Sequence, residues 1–575
     1  GVVSISGNIT KTGGSNNNIT FKNPVEFTGG STYQIKDTTS VTFEKTCTAD
    51  SSFTFDNAGN VSINDFTMNG VAGTLTLNSD ITVSGTLTLK GTAATPLTIT
   101  TSTSNTVTLT NNQDSGEYLN ITAANAPTIT GASFLATNST TDDIPALLAK
   151  GWIFSSENDS YWTGATDTDW GTASNWLPSA IPVATANIII NSNAINRYPV
   201  LNTPDSSSTS ITSLSMEAGT GIAAVSELII TSAVDFANDV TVSGKITSAS
   251  GITTSANVTI NGNSIFSGNV TNTGSITVNS GNTLSFDADF DDSASTASTS
   301  GSLKFTGTGS FTPAAGTSYT SLELDCSGNT VTAQNAFTAD YITITNGTLS
   351  SAYTTTVNTS LTNNGTVSGT GDYEILSDIT DYGTWSSTGI IKLNGTGNQT
   401  FVPKAGTSYK IEVNKTSGTM SFNTNTLTAS QVALTAGTQT SFNAAVAITS
   451  LSDNAVSGNI TFAGGGTISS VTTFNTTGTI TFSGNTTLDF GTNAVTHTAG
   501  STVLNGKIKT SELRIGSGSL TGNSEVDGSL TFTGGTDAAH RNEMSRTGGT
   551  LKVSGNIEVD SAAFYTLGTS AITIT

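Results

Sequence analysis

The chain is poor in charged residues and has no long apolar run. Only 10% of its 575 residues are Asp, Glu, Lys or Arg, against about 25% in an average globular protein. No stretch approaches the roughly 18–20 consecutive apolar residues of a membrane-spanning helix, so direct membrane insertion is not expected. The 19 basic residues are outnumbered by 41 acidic ones and are not clustered. This argues against binding to nucleic acid or to an anionic membrane surface, because both require grouped cations.

Cysteine is nearly absent, which limits the scope for disulfides. The two cysteines, Cys47 and Cys326, both lie in strand-like sequence. If the chain winds as one solenoid, about a dozen coils separate them, or more than about 50 Å, whereas a disulfide needs Cα atoms within about 7 Å. We therefore expect both thiols to be reduced and to serve as small buried hydrophobic side chains.

Apolar and aromatic residues are also scarce, at 35% and 7% of the chain. The length nevertheless exceeds the roughly 250–300 residues that one compact core can serve. The abundant polar residues include β-branched Thr, and the low charge is unlike that of a disordered chain. The composition therefore favours an all-β protein with several domains or with a core stretched along an axis.

Short segments that alternate apolar and polar residues recur along the whole chain. Examples are "NITF" at Asn18–Phe21, "TLTL" at Thr74–Leu77 and "TITF" at Thr479–Phe482. Each predicts a strand with one buried face and one wet face, and Gly and Asn separate the strands. One segment, Asp142–Trp152, is compatible with a helical turn.

Internal repeats distinguish the two all-β architectures that fit such strands. "AGTSY" occurs at Ala315–Tyr319 and again at Ala405–Tyr409, and Thr273–Phe286 resembles Thr477–Phe490. An offset of about 90 residues fits one sandwich domain or about four coils of roughly 22 residues. The scarcity of core aromatics and the irregular placement of hairpin dipeptides favour the coils.

We therefore predict an elongated, right-handed parallel β-helix (β-solenoid) in two consecutive segments. The N-terminal solenoid segment is residues 1–150, the Trp/Pro-rich seam that opens the second segment is residues 151–200, and the C-terminal solenoid segment is residues 201–575. At about 4.8 Å per coil, about 26 coils would form a rod of roughly 120 Å.

The seam contains most of the large aromatic residues. Three of the five tryptophans lie in Tyr161–Pro182, and Trp152 lies just upstream. An interrupted solenoid exposes apolar edges, and each indole can bury about 200 Å². We interpret the four tryptophans as a plug over that break. The alternative is an aromatic platform that stacks on sugar rings.

The same stretch carries a resemblance to known proteins. Its W-T-G…D-W…N-W…P…P pattern, followed by "ANIII" and "YPVL" (Tyr198–Leu201), resembles the motif that opens repeat modules in large secreted bacterial surface proteins. The flanking "GNVTNTGSITVNSGNTLSF" resembles the β-helices of filamentous haemagglutinins and autotransporter passengers. The resemblance implies export, an extracellular or cell-surface location and an adhesive or structural role. It implies no catalytic residue, and the sequence shows no translocator barrel or secretion-signal domain.

The acidic segment Asp287–Asp292 is the main candidate for metal binding. Strand alternation would place Asp287, Asp289 and Asp291 on one face, about 6.5–7 Å apart, with Asp292 beside them. Such a row is a candidate Ca²⁺ site, because Ca²⁺ takes six to eight oxygen ligands. A solvated loop is the alternative interpretation. No cofactor is otherwise expected.

The remaining candidate residues have simpler interpretations. Asp167 and Asp169 are a second candidate Ca²⁺ site, although Asx-type capping of turns is the expected role. The two histidines, His497 and His540, have no nucleophile or paired carboxylate at a telling spacing and are expected to be isolated surface residues. The sequence contains no recognised catalytic motif, so no catalytic, cofactor-binding or metal-binding residue is assigned.

These observations predict a non-catalytic extracellular structural protein of a bacterial surface, either an adhesin shaft or a subunit of a filament or surface layer. Its expected partners are copies of itself, other surface proteins or glycans. The alternative is a carbohydrate-binding or carbohydrate-active β-helix enzyme of the polysaccharide lyase or hydrolase type, which would need carboxylates converging from adjacent coils. The start at Gly1 and the end in strand-like "AITIT" suggest a processed or partial chain that continues or meets a partner.

Overall fold

The computed structural model is a parallel β-solenoid with about 22 turns in the part of the chain that it describes. Residues 1–559 are described apart from 11–17, 31, 37–39, 58, 103, 111–114, 133, 143–145, 148–149, 156–158, 178–179, 183–186, 192–198, 202–212, 218–226, 231–233, 237–239, 243, 249–250, 296–298, 438, 455–456, 472, 522, 534–543 and 548–549. The chain divides into two compact units, Gly1–Ile265 and Phe266–Thr575.

The strands are numbered in chain order. The first thirty, β1 to β30, are Val3–Ile5, Ile9–Thr10, Asn18–Phe21, Val25–Phe27, Thr32–Lys36, Ser40–Ala49, Ser52–Asp56, Val61–Met68, Thr74–Leu77, Ile81–Val83, Leu87–Lys90, Leu97–Thr100, Thr106–Leu109, Ser115–Glu117, Leu119–Ile121, Thr128–Thr130, Phe134–Thr137, Thr140–Thr141, Trp152–Ser155, Asp159–Trp162, Trp176–Leu177, Asn187–Asn191, Val200–Leu201, Ser213–Glu217, Glu227–Ile230, Val234–Phe236, Val240–Val242, Lys245–Ser248, Ile252–Thr254 and Asn257–Ile260. Two 3-10 turns cover Ala123–Asn125 and Ala173–Asn175.

The remaining strands, β31 to β60, are Ser264–Ser267, Val270–Asn272, Ser275–Val278, Thr283–Phe286, Phe290–Asp291, Thr299–Phe305, Gly309–Thr312, Ser318–Ala333, Phe337–Ser351, Thr355–Asn363, Thr366–Gly369, Tyr373–Ile375, Asp378–Asp381, Thr384–Trp385, Ile391–Leu393, Gln399–Val402, Ser408–Val413, Thr419–Phe422, Leu427–Leu434, Gln439–Phe442, Val446–Asp453, Ile460–Phe462, Gly466–Ser470, Thr473–Phe474, Thr479–Asp489, Ala494–Thr521, Ser524–Phe532, Met544–Thr547, Leu551–Val553 and Ile557–Val559.

In the first unit, the apolar residues of successive coils form columns in the interior. Val41 on β6 pairs with Val61 on β8, which in turn pairs with Ile81 on β10. β6 bends around a corner of the coil, because its burial alternates on both sides of the exposed pair Glu44–Lys45. A single strand can therefore contribute to two faces of the solenoid, and the period-2 pattern is interrupted only at the corner.

In the second unit, four phenylalanines form the most regular interior column. Phe422, Phe442, Phe462 and Phe482 stack with ring centroids 5.0, 4.9 and 5.6 Å apart and with planes within 8° of one another. The strand separation of about 4.8 Å in a parallel sheet imposes this distance. The column explains how a chain with few aromatic residues keeps a continuous core.

Several expectations can be compared directly with this fold. The β-solenoid is confirmed, with about 22 turns in the described residues, whereas about 26 coils were expected for the whole chain. Coil length also varies. Thr355 pairs with Tyr373 after a short coil, whereas Ile81 pairs with Val107 after a longer one. Both cysteines are free and buried, as predicted. Ala146 and Leu147, which lie within the predicted helical turn, are helical. No helix in the described ranges is long and apolar enough to cross a bilayer.

Candidate functional site

Three tryptophans of the seam pack against one another in the first unit. The Trp176 ring lies edge-on to those of Trp162 and Trp170, with centroids 5.0 and 4.6 Å away. All three are buried, with at most 4% of their surface exposed. The Trp176 indole N–H donates a 2.8 Å hydrogen bond to the Trp170 carbonyl. The rings therefore present no open face on which a sugar could stack, contrary to the platform interpretation.

A compact polar turn holds this cluster together. The Asn175 amide donates to Asp167 Oδ1 at 2.6 Å and to the Asp169 carbonyl at 2.9 Å, and its oxygen accepts from the Thr166 backbone N–H at 2.9 Å. Asp167 Oδ1 also accepts from the Asp169 N–H, and Asp169 caps Gly171. The predicted Asx-type capping by Asp167 and Asp169 is therefore confirmed.

The seam covers the outer face of the preceding coils. Tyr161 forms a buried cluster with Leu135 and Ile153, and Ile189 packs against it. Leu135 and Ile153 lie next to interior core residues on β17 and β19, so their own side chains point outwards. They are buried because the seam packs over them. Strand β20, which contains Tyr161, pairs with β21, which contains Trp176, and this pair is antiparallel. The neighbouring pairs β17–β19 and β20–β22 are parallel.

Trp152 is not part of this cover, which corrects the expected plug of four tryptophans. Its ring belongs to the interior core and lies edge-on to Phe134, with centroids 5.3 Å apart. Its indole N–H donates to the Pro127 carbonyl at 2.9 Å. Trp152 is thus part of the interior core of the preceding coils. The other three indoles pack against one another in the segment that follows.

The acidic segment does not form the expected row of carboxylates. β34 ends at Phe286 and β35 covers only Phe290–Asp291, so no continuous strand aligns the carboxylates. Asp287 accepts from the Ser267 hydroxyl and the Gly268 N–H, and Asp289 accepts from the Ser310 N–H at 2.7 Å. Asp291 caps Ser293 at 3.0 Å. The carboxylates of Asp287 and Asp289 therefore bond to neighbouring coils, and that of Asp291 caps its own turn.

Asp292 is the exception, because it is buried inside the solenoid. Its carboxylate accepts from the Asn272 amide at 2.7 Å and from the Tyr319 hydroxyl at 2.6 Å. Burial raises the pKa of Asp292, and the hydrogen bonds from Tyr319 and Asn272 act in the opposite direction. Burial and the facing carboxylate raise the pKa of Tyr319 as well. We call Asn272, Asp292 and Tyr319 the first polar trio.

A second polar trio repeats this arrangement with Asn363, Asp381 and Tyr409. The amide of Asn363 donates to Asp381 at 2.8 Å, and the Tyr409 hydroxyl donates at 2.6 Å. Both tyrosines are the last residue of the repeated "AGTSY" sequence. Sequence analysis identifies the repeat but not its role, although the available signal was an aspartate 27 or 28 residues before each of the two tyrosines.

His497 is buried, which corrects its expected surface position. Nε2 lies 3.0 Å from the Thr476 carbonyl, and Nδ1 lies 2.8 Å from the Thr502 hydroxyl. A carbonyl can only accept, so Nε2 carries the proton and Nδ1 accepts from Thr502 when the ring is neutral. Burial lowers the pKa of His497 and keeps it neutral. His540 lies outside the described residues.

A buried lysine forms a further polar cluster that the sequence did not reveal. Lys415 is fully buried, and its Nζ donates to the carbonyls of Gly395 and Gly397 and to Gln399 Oε1. The Gln399 amide donates onward to the carbonyl of Ile375 at 2.7 Å. Burial lowers the pKa of Lys415. The cluster joins three successive coils.

The described residues were searched for a metal-ligand cluster and for a cavity that could hold a ligand. Within them, no group of three or more His, Cys, Asp and Glu side chains is arranged to hold a metal ion. A cavity of about 10 Å³ in the first unit is lined by apolar side chains including Phe55, Phe66 and Trp152. It has room for at most about one water molecule. The buried polar groups thus mainly connect one coil to another.

Comparisons with protein-family models, with curated proteins and with solved structures found no match for this chain.

Proposed function

We propose that the protein is a non-catalytic structural component of an extracellular bacterial surface, an adhesin shaft or a subunit of a filament or surface layer. The observation that carries the proposal is that the buried acidic and basic side chains form hydrogen bonds between coils. Asp292, Asp381 and Lys415 are each engaged in hydrogen bonds between coils. Such groups stabilise a long stack and are not arranged around a substrate.

The surface chemistry supports the same proposal. Ion pairs occur across neighbouring coils, as between Lys304 and Glu323 at 2.9 Å and between Lys392 and Asp372 at 2.9 Å. Exposed pairs contribute little to stability individually, typically about 0–1 kcal/mol. The net charge of −22 keeps copies soluble at low concentration. Copies of the chain, other surface proteins and glycans are the proposed partners.

Location is the first test of the proposal. Antibodies against the folded chain should label intact, non-permeabilised cells that express it, and protease added to those cells should remove the label. Negative-stain microscopy of the purified chain should show single rods or ordered polymers. Labelling that appears only after permeabilisation would contradict the proposed location.

Catalysis is the second test, because parallel β-helices also occur as carbohydrate-active enzymes. The purified chain should release no reducing or unsaturated ends from a panel of acidic and neutral polysaccharides. Release of such ends that depends on one carboxylate would contradict the non-catalytic proposal. It would favour the lyase or hydrolase alternative.

A further inference from the structure

One face of the second unit carries a regular grid of hydroxyl groups. Five successive coils contribute two outward residues each, in or next to β37, β38, β39, β41 and β44, and every one is Thr or Ser. We call this set the hydroxyl face; it comprises Thr308 and Ser310, Thr330 and Thr332, Thr348 and Ser350, Thr366 and Ser368, and Thr384 and Ser386. The intervening residues from Val331 to Trp385 point into the core and are buried.

The two columns of the hydroxyl face stay in register from coil to coil. Thr330 pairs with Thr348, Thr348 with Thr366, and Thr366 with Thr384. The register of β38 against β39 shifts just before Thr330 and is continuous from Thr330 to Ala333. Thr332 pairs with Ser350 in the second column, which pairs with Ser368. Hydroxyls therefore repeat about every 4.8 Å across the strands and about every 6.6–7 Å along them.

The segments of this face carry no charge of their own, although at its first coil the carboxylate of Asp289 accepts from the Ser310 N–H at 2.7 Å. The hydroxyl-face segments 308–312, 330–333, 348–351, 366–369 and 384–387 contain no charged residue. On the strands that precede them in the same stretch of coils, Lys304 pairs with Glu323 and Asp325, and Lys392 pairs with Asp372. A charged side chain would hold its own hydration shell and disturb any regular layer of water on the grid.

We propose that the hydroxyl face binds the surface of ice, an activity beyond the proposed structural role and independent of it. Its two repeat distances approximate those of oxygen atoms on a prism plane of ice, and hydroxyls both donate to and accept from water. Threonine is β-branched and loses little rotamer freedom when its hydroxyl is fixed, so the grid is preorganised. The ligand is thus an uncharged lattice of water molecules.

A crystalline polysaccharide is the competing ligand, and the geometry favours it less. Surfaces that bind sugar rings present aromatic side chains on which the rings stack. The exposed tyrosines of this region are Tyr341, Tyr353 and Tyr382. Tyr341 lies in another column, between Ser321 and Ser360, and Tyr353 and Tyr382 lie outside the strands, so none of the three belongs to the two columns of the hydroxyl face. Phe311 and Trp385, the aromatic residues within the hydroxyl-face segments themselves, are both buried in the core.

The test uses the full chain and three variants. Ice activity is measured as thermal hysteresis, as shaping of single ice crystals and as partition into a slowly growing ice hemisphere. Thr366→Lys places a charge in the middle of the grid and should abolish hysteresis. Thr362→Lys is the matched control, because Thr362 is an outward, half-buried threonine on β40, on an adjacent face, and this variant should behave like the unaltered chain.

The third variant tests the same idea in the opposite direction. Ser350→Thr combined with Ser368→Thr adds methyl groups that fix the hydroxyls, and it should increase hysteresis. Circular dichroism and the melting temperature verify that each variant folds. Absence of ice activity in the unaltered chain, or an equal loss with Thr366→Lys and Thr362→Lys, would overturn the proposal. Retention on insoluble cellulose or chitin that Thr366→Lys abolishes, without ice activity, would assign the face to a polysaccharide.

Discussion

The hydroxyl of Tyr409 donates a 2.6 Å hydrogen bond to the carboxylate of Asp381, which lies 28 residues earlier in the chain. Tyr319 makes the same bond to Asp292 over 27 residues. Each bond reaches further along the sequence than one coil. Each tyrosine nevertheless lies in the coil next to that of its aspartate, because the backbone ladder pairs Asp291 with Thr312 and Thr380 with Val402. The two bonds therefore reinforce neighbouring coils from inside the core, where a hydrogen bond to a charged group is strong.

Removing the Tyr409 hydroxyl should destabilise the second unit. Asp381 is fully buried, and Tyr409→Phe would leave its carboxylate with the Asn363 amide and the Gly383 N–H as donors. We expect a loss of about 1–3 kcal/mol in the free energy of unfolding, the usual cost of a buried polar group that loses a partner. Urea denaturation followed by circular dichroism measures it.

Tyr373 is the matched control for this prediction. Its hydroxyl is also buried, yet it has no hydrogen-bond partner. Tyr373→Phe therefore removes an unsatisfied polar group and should leave stability unchanged or slightly higher. Equal losses in the two variants would show that the Tyr409 bond contributes nothing specific.

The Lys415 cluster gives a second stability prediction. Lys415→Met would leave two backbone carbonyls and Gln399 Oε1 without the donor that they share, and we expect a loss of about 1–3 kcal/mol in the free energy of unfolding. Lys410→Met is the control, because Lys410 is exposed and donates to the Thr388 carbonyl at 3.2 Å from the surface. The urea midpoint should fall for Lys415→Met and stay within error for Lys410→Met.

The strands could be predicted from sequence because their signal is local. "TLTL" at Thr74–Leu77 is β9, and its two leucines are buried while its threonines are not. Alternation alone determines which face of such a segment is apolar. The 90-residue repeat alone fits either a sandwich domain or about four coils, and the scarcity of core aromatics and the irregular hairpin dipeptides favour the coils.

The polar clusters could not be predicted in the same way, because burial depends on where a coil turns. Asp291 and Asp292 are neighbours, yet one caps a surface turn and the other is buried against Tyr319. Coil lengths vary, so sequence spacing does not reveal which residues of successive coils meet. The sequence predicts a surface position for His497, because its immediate threonine neighbours do not reveal that Thr476 and Thr502 lie beside its ring.

Removing the Trp176 ring should unfold the seam locally and leave the rest of the β-solenoid folded. Trp176 is fully buried and packs against two other indoles, so Trp176→Ala should cost about 3–5 kcal/mol. Limited proteolysis should then produce new cleavage between Tyr161 and Leu177, while the far-ultraviolet circular dichroism of the β-solenoid is retained.

A second buried tryptophan distinguishes this effect from general destabilisation. Trp385 lies edge-on to Tyr373 in the second unit, with centroids 5.0 Å apart. Trp385→Ala should also lower stability, but without new cleavage in the seam. The same cleavage pattern in both variants would contradict a local role for Trp176.

His497 should make the second unit sensitive to mild acid. Its pKa in the folded protein lies below the usual value of about 6.5, so at lower pH the unfolded chain binds a proton that the folded chain excludes. Its contribution therefore reduces the free energy of unfolding as pH falls below about 6.5, by at most about 1.4 kcal/mol per pH unit, and changes nothing above that range. The raised pKa of Asp292 has the opposite sign, because acid protonates the folded carboxyl first and favours folding.

Comparison with His497→Gln isolates the histidine, because Asp292 is present in both proteins and its effect cancels in the difference. Glutamine does not titrate, so the unaltered chain should lose more stability than the variant between pH 7.5 and pH 5, and the gap in urea midpoint between them should narrow. A gap that stays constant over that range would show that His497 takes up its proton equally in the folded and unfolded states. Its ring would then have to be open to solvent, in conflict with its contacts to Thr476 and Thr502.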